Sequence, residues 1–163
     1  MILPDVLREG LDIIFCGTAA GNNSAERKAY YAGAGNLFYP TLAACGLTPR
    51  LLKPHEFPEL LNCNIGLTDL VKHHFGMDKN LKAEYFDTKT FEEKIRIYQP
   101  KLVCFNGKEA AKVYFNRKKT SEVSYGLQLQ TIESTRLYVA PSTSLQAIAY
   151  WDETYWHKLT ELI

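Results

Sequence analysis

Two short apolar runs, LDIIFC (residues 11–16) and KLVCFN (101–106), constrain the fold of this 163-residue chain more than any other feature. Each is rich in β-branched and aromatic side chains and stops at a glycine, Gly17 or Gly107. A continuous apolar run of this length, rather than an alternating one, marks a strand covered on both faces. Both runs lead into helix-forming sequence. NLFYPTLAACG places Leu37, Thr41, Leu42 and Cys45 on one helical face and ends at Gly46, and KEAAKVYF follows Gly107. TKTFEEKIRIY (88–98) has Thr88 or Thr90 as a cap and Phe91, Ile95 and Tyr98 as its apolar face.

Near the end, LQLQTIE (127–133) alternates apolar and polar residues, and RLYVA (136–140) follows a two-residue Ser-Thr turn. These read as strands. The last segment carries Trp151, Tyr155, Leu159 and Leu162 at helical spacing. Alternating strands and helices predict an α/β three-layer sandwich with a mainly parallel central sheet, in which ligands sit beyond the carboxyl ends of the strands. That topology gathers three loops on one rim: residues 17–21, NGKE (106–109) and PSTSLQ (141–146).

Composition narrows the function classes. Nineteen basic and eighteen acidic residues leave a net charge of +1, which argues against a protein that coats polyanions. No stretch reaches the roughly 18 to 20 apolar residues that span a bilayer, and the first ten residues lack a signal peptide's pattern, so a cytoplasmic location is expected. A single domain over residues 1–163 is expected from length and the lack of a linker. Cys16, Cys45, Cys63 and Cys104 form no close pair and read as reduced, structural thiols. His73 and His74 have no third ligand at metal spacing, so no metal is expected.

The loop after the first run, GTAAG (17–21), matches neither a dinucleotide fingerprint nor a phosphate-binding loop with its lysine. It reads either as a tight strand-to-helix turn or as exposed backbone awaiting a ligand. AYYAGAGNLFYP (29–40) sets flat rings beside it, and rings next to bare amides suit a nucleobase, stacked on one face and read along its edge.

At this point the chain resembles the mismatch-specific uracil-DNA and thymine-DNA glycosylases of the uracil-DNA glycosylase superfamily. The similarity runs from LREGLDIIFCG through GNNSA, YYAGAGNLFY, GLTPRLLKPHE, LLNCNIGLTDLVK and YQPKLVCFNGKEA to YVAPSTS. It implies base contacts from the backbone of Gly17, Thr18, Ala19, Ala20 and Gly21, and stacking by Tyr31. Tyr30, Phe38 and Tyr39 are assigned to the core. The late loop is similar to the family's N-P-S-G segment, with Ser142 at the asparagine position. Ser142, Thr143 and Ser144 would then meet phosphates, with Leu145 and Gln146 as the wedge entering the stack and Lys108 near the backbone.

The chain departs from the family at Ala19, where the family's asparagine positions the attacking water. Substitutes are Asn36, ranked first although it also fits a helix N-cap, then Asn22, Asn23 and Asp69. On residue type alone Asn22 and Asn23 read as turn formers and Asp69 as a helix-surface or capping acid. The resemblance implies a monomeric, cofactor-free, monofunctional glycosylase acting on double-stranded DNA that contains uracil or a mismatch. A binding module that keeps the pocket without the chemistry, and a small-molecule nucleotide-binding protein, are the competing readings.

Overall fold

The computed structural model describes residues 1–163. Five strands, β1 (Ile13–Gly17), β2 (Ile65–Asp69), β3 (Leu102–Asn106), β4 (Gly126–Ile132) and β5 (Thr135–Ala140), form one sheet in the order β2-β1-β3-β5-β4. All neighbours are parallel except β4, which pairs antiparallel with β5. Helices α1 (Asn22–Arg27), α2 (Phe38–Ala44), α3 (Thr88–Tyr98), α4 (Lys108–Tyr114) and α5 (Glu153–Leu159) complete an α/β sandwich around it.

The three layers follow from the two-residue period of a strand covered on both sides. Ile13 and Phe15 of β1 face one core, with Phe38 of α2 and Trp156 of α5. Ile14 and Cys16 face the other, with Phe91 and Ile95 of α3 and Ala111 of α4. On the first side Phe15 stacks on Trp156 at 5.3 Å between ring centroids and meets Phe38 edge-on at 5.2 Å. All four cysteines are unpaired, with Cys16 and Cys104 buried in the sheet.

Several local expectations are corrected. NIGLTDL contains β2, which the sequence reading did not identify, and Asp69 is therefore the last residue of a buried strand rather than a helix-surface acid. Asp87, not Thr88 or Thr90, caps α3: its Oδ1 accepts from the Thr90 amide at 3.0 Å. Asn22 and Asn23 open helix α1 instead of forming a turn. The β4–β5 turn is Glu133–Ser134, with Glu133 in the left-handed region at φ 52°, because Thr135 is buried and donates from its hydroxyl to the Pro100 carbonyl at 2.7 Å.

The last helix starts only at Glu153, so Trp156 replaces Trp151 and Tyr155 on its inward face beside the expected Leu159, both fully buried. Trp156 Nε1 donates to the Pro141 carbonyl at 2.9 Å, which satisfies the buried indole and ties the last helix to the late loop.

Candidate active site

Parallel pairing brings the carboxyl ends of β1, β2 and β3 to one rim. Gly17 stands in register with Asp69, and Asn106 with Ala140, just before the late loop. Between these ends lies a cleft of about 420 Å³ that reaches from the 17–21 strip to Tyr31, Asn36 and Ser142. That volume lies within the usual range for a small-ligand site.

The strip is held by its carbonyls. Gly17 accepts from Leu70 at 3.0 Å, Thr18 from Val71 at 2.7 Å, Ala20 from Gly76 at 2.9 Å and Gly21 from Ala25 at 2.9 Å. The Thr18 hydroxyl donates to Asp78 at 2.6 Å. By contrast, the amides of Thr18, Ala19 and Gly21 donate to no backbone carbonyl, while Ala20 forms an isolated parallel bridge with Phe75. The amides of Thr18, Ala19 and Gly21 therefore remain on the cleft wall as donors for an acceptor-rich partner. The strip's small side chains are thereby explained. Gly17 has a further constraint: a Cβ there would stand 2.9 Å from Asp69 Oδ1 and 3.5 Å from the Tyr31 hydroxyl.

Asp69 is only 6% exposed and borders the cleft. Burial pushes its carboxyl up to about 6; Lys72 opposes the rise, Asp5 adds to it, and the Gly17 amide opposes it. Lys72 is itself fixed by an ion pair with Asp5 at 2.8 Å and by donation to the Tyr30 hydroxyl at 3.0 Å. A carboxyl of this kind is ionised at neutral pH yet basic enough to take a proton.

Tyr31 sits at φ 54°, a left-handed conformation that costs a tyrosine on the order of 1 kcal/mol or more. Phe38 stacks on one face of its ring at 4.1 Å between centroids, so only the other face remains for a ligand. Its hydroxyl is the buried side-chain polar atom that finds no hydrogen-bond partner. Burial, then nearby Asp69, hold that phenol well above its ordinary pKa, and it stays neutral. Tyr30, Phe38 and Tyr39 are buried, as assigned from the sequence, though Tyr30 also reaches the cleft wall.

Asn36 lines the cleft but is not the N-cap of α2, which is Leu37; from one residue earlier its Oδ1 accepts from the Phe38 amide at 3.0 Å. Its carbonyl end is therefore committed to the protein. Asn23 and Asn22 border the cleft from the start of α1. Asn106 was not singled out in the sequence, although a polar residue closing an apolar run was the available signal. It clamps Thr143, accepting from its amide and donating to its hydroxyl, each at 3.0 Å.

That clamp divides the late loop. Thr143 is buried, which leaves Ser142 and Ser144 as the accessible hydroxyls. Leu145 is half exposed, yet its side chain fills the space beside Gly35, where a Cβ would lie 2.7 Å from Cδ1. Gln146 is exposed next to it. Lys108 stands away from the cleft, its ammonium 4.4 Å from the centroid of the Tyr125 ring. His74 stacks on Tyr85 at 3.5 Å between ring centroids.

The profile of the uracil DNA glycosylase superfamily matches residues 4–160. The chain belongs to the uracil DNA glycosylase superfamily. Its fold is similar to a solution NMR structure of a candidate uracil DNA glycosylase from Methanosarcina acetivorans, with a TM-score of 0.65 and 20% identity over 96% of this chain and 93% of that one. At that identity the likeness bears on fold alone. Superfamily membership points to DNA as partner and to DNA glycosylase chemistry; no helix is long and apolar enough to cross a membrane.

Proposed function

We propose that this superfamily member is a monofunctional DNA glycosylase that extrudes uracil, or a related deaminated or mismatched base, from duplex DNA and hydrolyses its N-glycosidic bond. The observation that carries this reading is the strip whose Thr18, Ala19 and Gly21 amides have no backbone partner and which shares one cleft with Tyr31 and Asp69. Amides aimed at pyrimidine carbonyls stabilise the anion that departs from an oxocarbenium-like sugar. Tyr31 offers one open ring face for stacking, and a mispaired base costs less to unstack than a paired one.

Asp69 takes the part of general base in place of the water-holding asparagine replaced by Ala19. Its burial, its place on the cleft wall and its raised pKa support it over Asn36, whose carbonyl is engaged with Phe38. Asn36 retains a positioning role through its amide nitrogen. Ser142 and Ser144 would donate to phosphates, and Leu145 with Gln146 would enter the gap left by the flipped nucleotide.

The deciding experiment incubates the protein with duplexes carrying G:U, G:T or hypoxanthine and then cleaves abasic sites with alkali. Strand scission at the lesion is expected. Tight lesion binding without scission would instead support the second reading, a damage-binding module, which Ala19 favours. Gly17→Ala provides a further check: the added methyl meets Asp69 Oδ1 at 2.9 Å, and excision is expected to fall at least about tenfold, since misplacing a reacting group by about 1 Å has a large effect. Unchanged excision would detach Gly17 and Asp69 from the site.

A further inference from the structure

The N-terminal segment covers the edge of the sheet beside the site. Val6 and Leu67 of β2 exchange backbone hydrogen bonds, each at 2.9 Å, and the Ile2 amide donates to the Lys72 carbonyl at 2.7 Å. Asp5, between these two attachments, gathers three donors. Its Oδ1 accepts from the Thr68 hydroxyl at 2.7 Å and from the Lys72 ammonium at 2.8 Å, and its Oδ2 pairs with Lys94 of α3 at 2.6 Å. The Lys72 side chain is only 9% exposed and also donates to the Tyr30 hydroxyl at 3.0 Å, whose own O–H goes to the Pro4 carbonyl at 2.9 Å. An anion on one side and a phenol on the other fix where this cation stands.

That place is next to the site. Leu70 and Val71 donate to the Gly17 and Thr18 carbonyls, so Asp69 and Lys72 stand three residues apart on one anchored stretch. Tyr30, which Lys72 holds, lines the cleft with Asp69. Lys72 nevertheless forms its ion pair with Asp5 and none with Asp69. The charged and titratable groups facing Asp69 are Lys72, Asp5 of the N-terminal segment, Asp78, Cys16 of β1, and Tyr30 and Tyr31 of the cleft wall. Lys72 is the cation among them.

We propose that Lys72 is a positioning residue for this reaction: Asp5 and Tyr30 hold its ammonium near enough to Asp69 to keep the base charged at neutral pH, and withhold it from a direct pair that would blunt the base. This rests on the glycosylase reading and deepens it. Both halves matter. A buried carboxyl with no cation nearby takes up a proton near neutrality, whereas one paired directly with a lysine becomes a weak base. A lysine held at one remove gives the intermediate case.

The test follows Asp69 itself as well as the rate. The titration of its carboxyl is read by carbon-13 NMR on the unliganded protein, and single-turnover excision from a G:U duplex is measured over the same pH range. Lys72→Met removes the cation and keeps the length of the side chain. The Asp69 midpoint is expected to rise by about one unit, and excision at pH 5 to fall about tenfold, in step with the lost ionised fraction, with the rate recovering toward wild type at pH 8.5. Asp5→Asn keeps the shape of its side chain and gives an independent reading should Lys72→Met not fold. Its Asp69 midpoint is expected to move down, because Asp69 loses a like charge and Lys72 loses the neighbour that neutralises it. Mere loosening of the wall would slow both variants at every pH without moving the midpoints in opposite directions. An Asp69 midpoint that does not rise in Lys72→Met, one that does not fall in Asp5→Asn, or midpoints that shift with no matching change in excision would overturn the role of Lys72 and leave the glycosylase reading standing. Wild-type protein that excises no lesion would overturn the glycosylase reading, and this role with it, even where the titration shifts appear.

Discussion

Asparagine in place of Asp69 is expected to slow single-turnover excision by about 10²- to 10⁴-fold, the share a positioned general base typically supplies. Asparagine matches the carboxyl in shape and cannot accept the proton. The pH dependence has a definite sign. A base must be ionised, and burial raises the Asp69 carboxyl to about 6. Wild-type excision should therefore rise with pH through about 6 and level off above it, and the variant should lose that rise. Rates measured from pH 4.5 to 8.5 with saturating protein would decide the matter. A variant within threefold of wild type, or an unchanged profile, would remove Asp69 from the chemistry.

The same substitution is expected to stabilise the fold at neutral pH. The Asp69 carboxyl binds its proton more tightly in the folded chain, at about 6 against 3.8 for the ordinary value. Its stabilising contribution is present below about pH 4 and disappears as pH rises through 6, where the ionised group must stay buried with only partial compensation from Lys72. That difference corresponds to about 3 kcal/mol. Asp69→Asn should then melt several degrees above wild type at pH 7.5 and at nearly the same temperature at pH 4. An equal gap at both pH values would show that the effect is packing rather than ionisation. Higher stability with lower activity is the usual relation where a site keeps a poorly solvated charge.

The two apolar runs and the late hairpin were legible because their patterns match the periods of the elements they form. β2 was not, for a physical reason. Gly66 and Thr68 dilute its apolar character, yet Gly66 is required by packing, since a Cβ there would lie 2.7 Å from the Val6 carbonyl and from a Leu11 methyl. The residue that weakens the local signal serves a contact more than fifty positions away in sequence. Missing that strand also misplaced Asp69, whose meaning depends on standing opposite Gly17. Likewise Trp156 took the inward face of α5 because Asp152, accepting from the Thr154 amide at 3.0 Å, sets where that helix begins. The strip, Tyr31 and the late loop could be named from the chain itself; the Thr143–Asn106 clamp and the Leu145–Gly35 contact join residues far apart in sequence and become visible only once folded.

The anchoring of the 17–21 carbonyls has a consequence after bond cleavage. A donor array fixed by Leu70, Val71, Gly76 and Ala25 does not relax when the leaving group gains its negative charge, so it grips the excised base most firmly at the moment the reaction is over. Escape of that base, rather than the hydrolysis itself, would then govern how often one protein molecule can act. Added free uracil should slow repeated turnover while leaving the first round untouched.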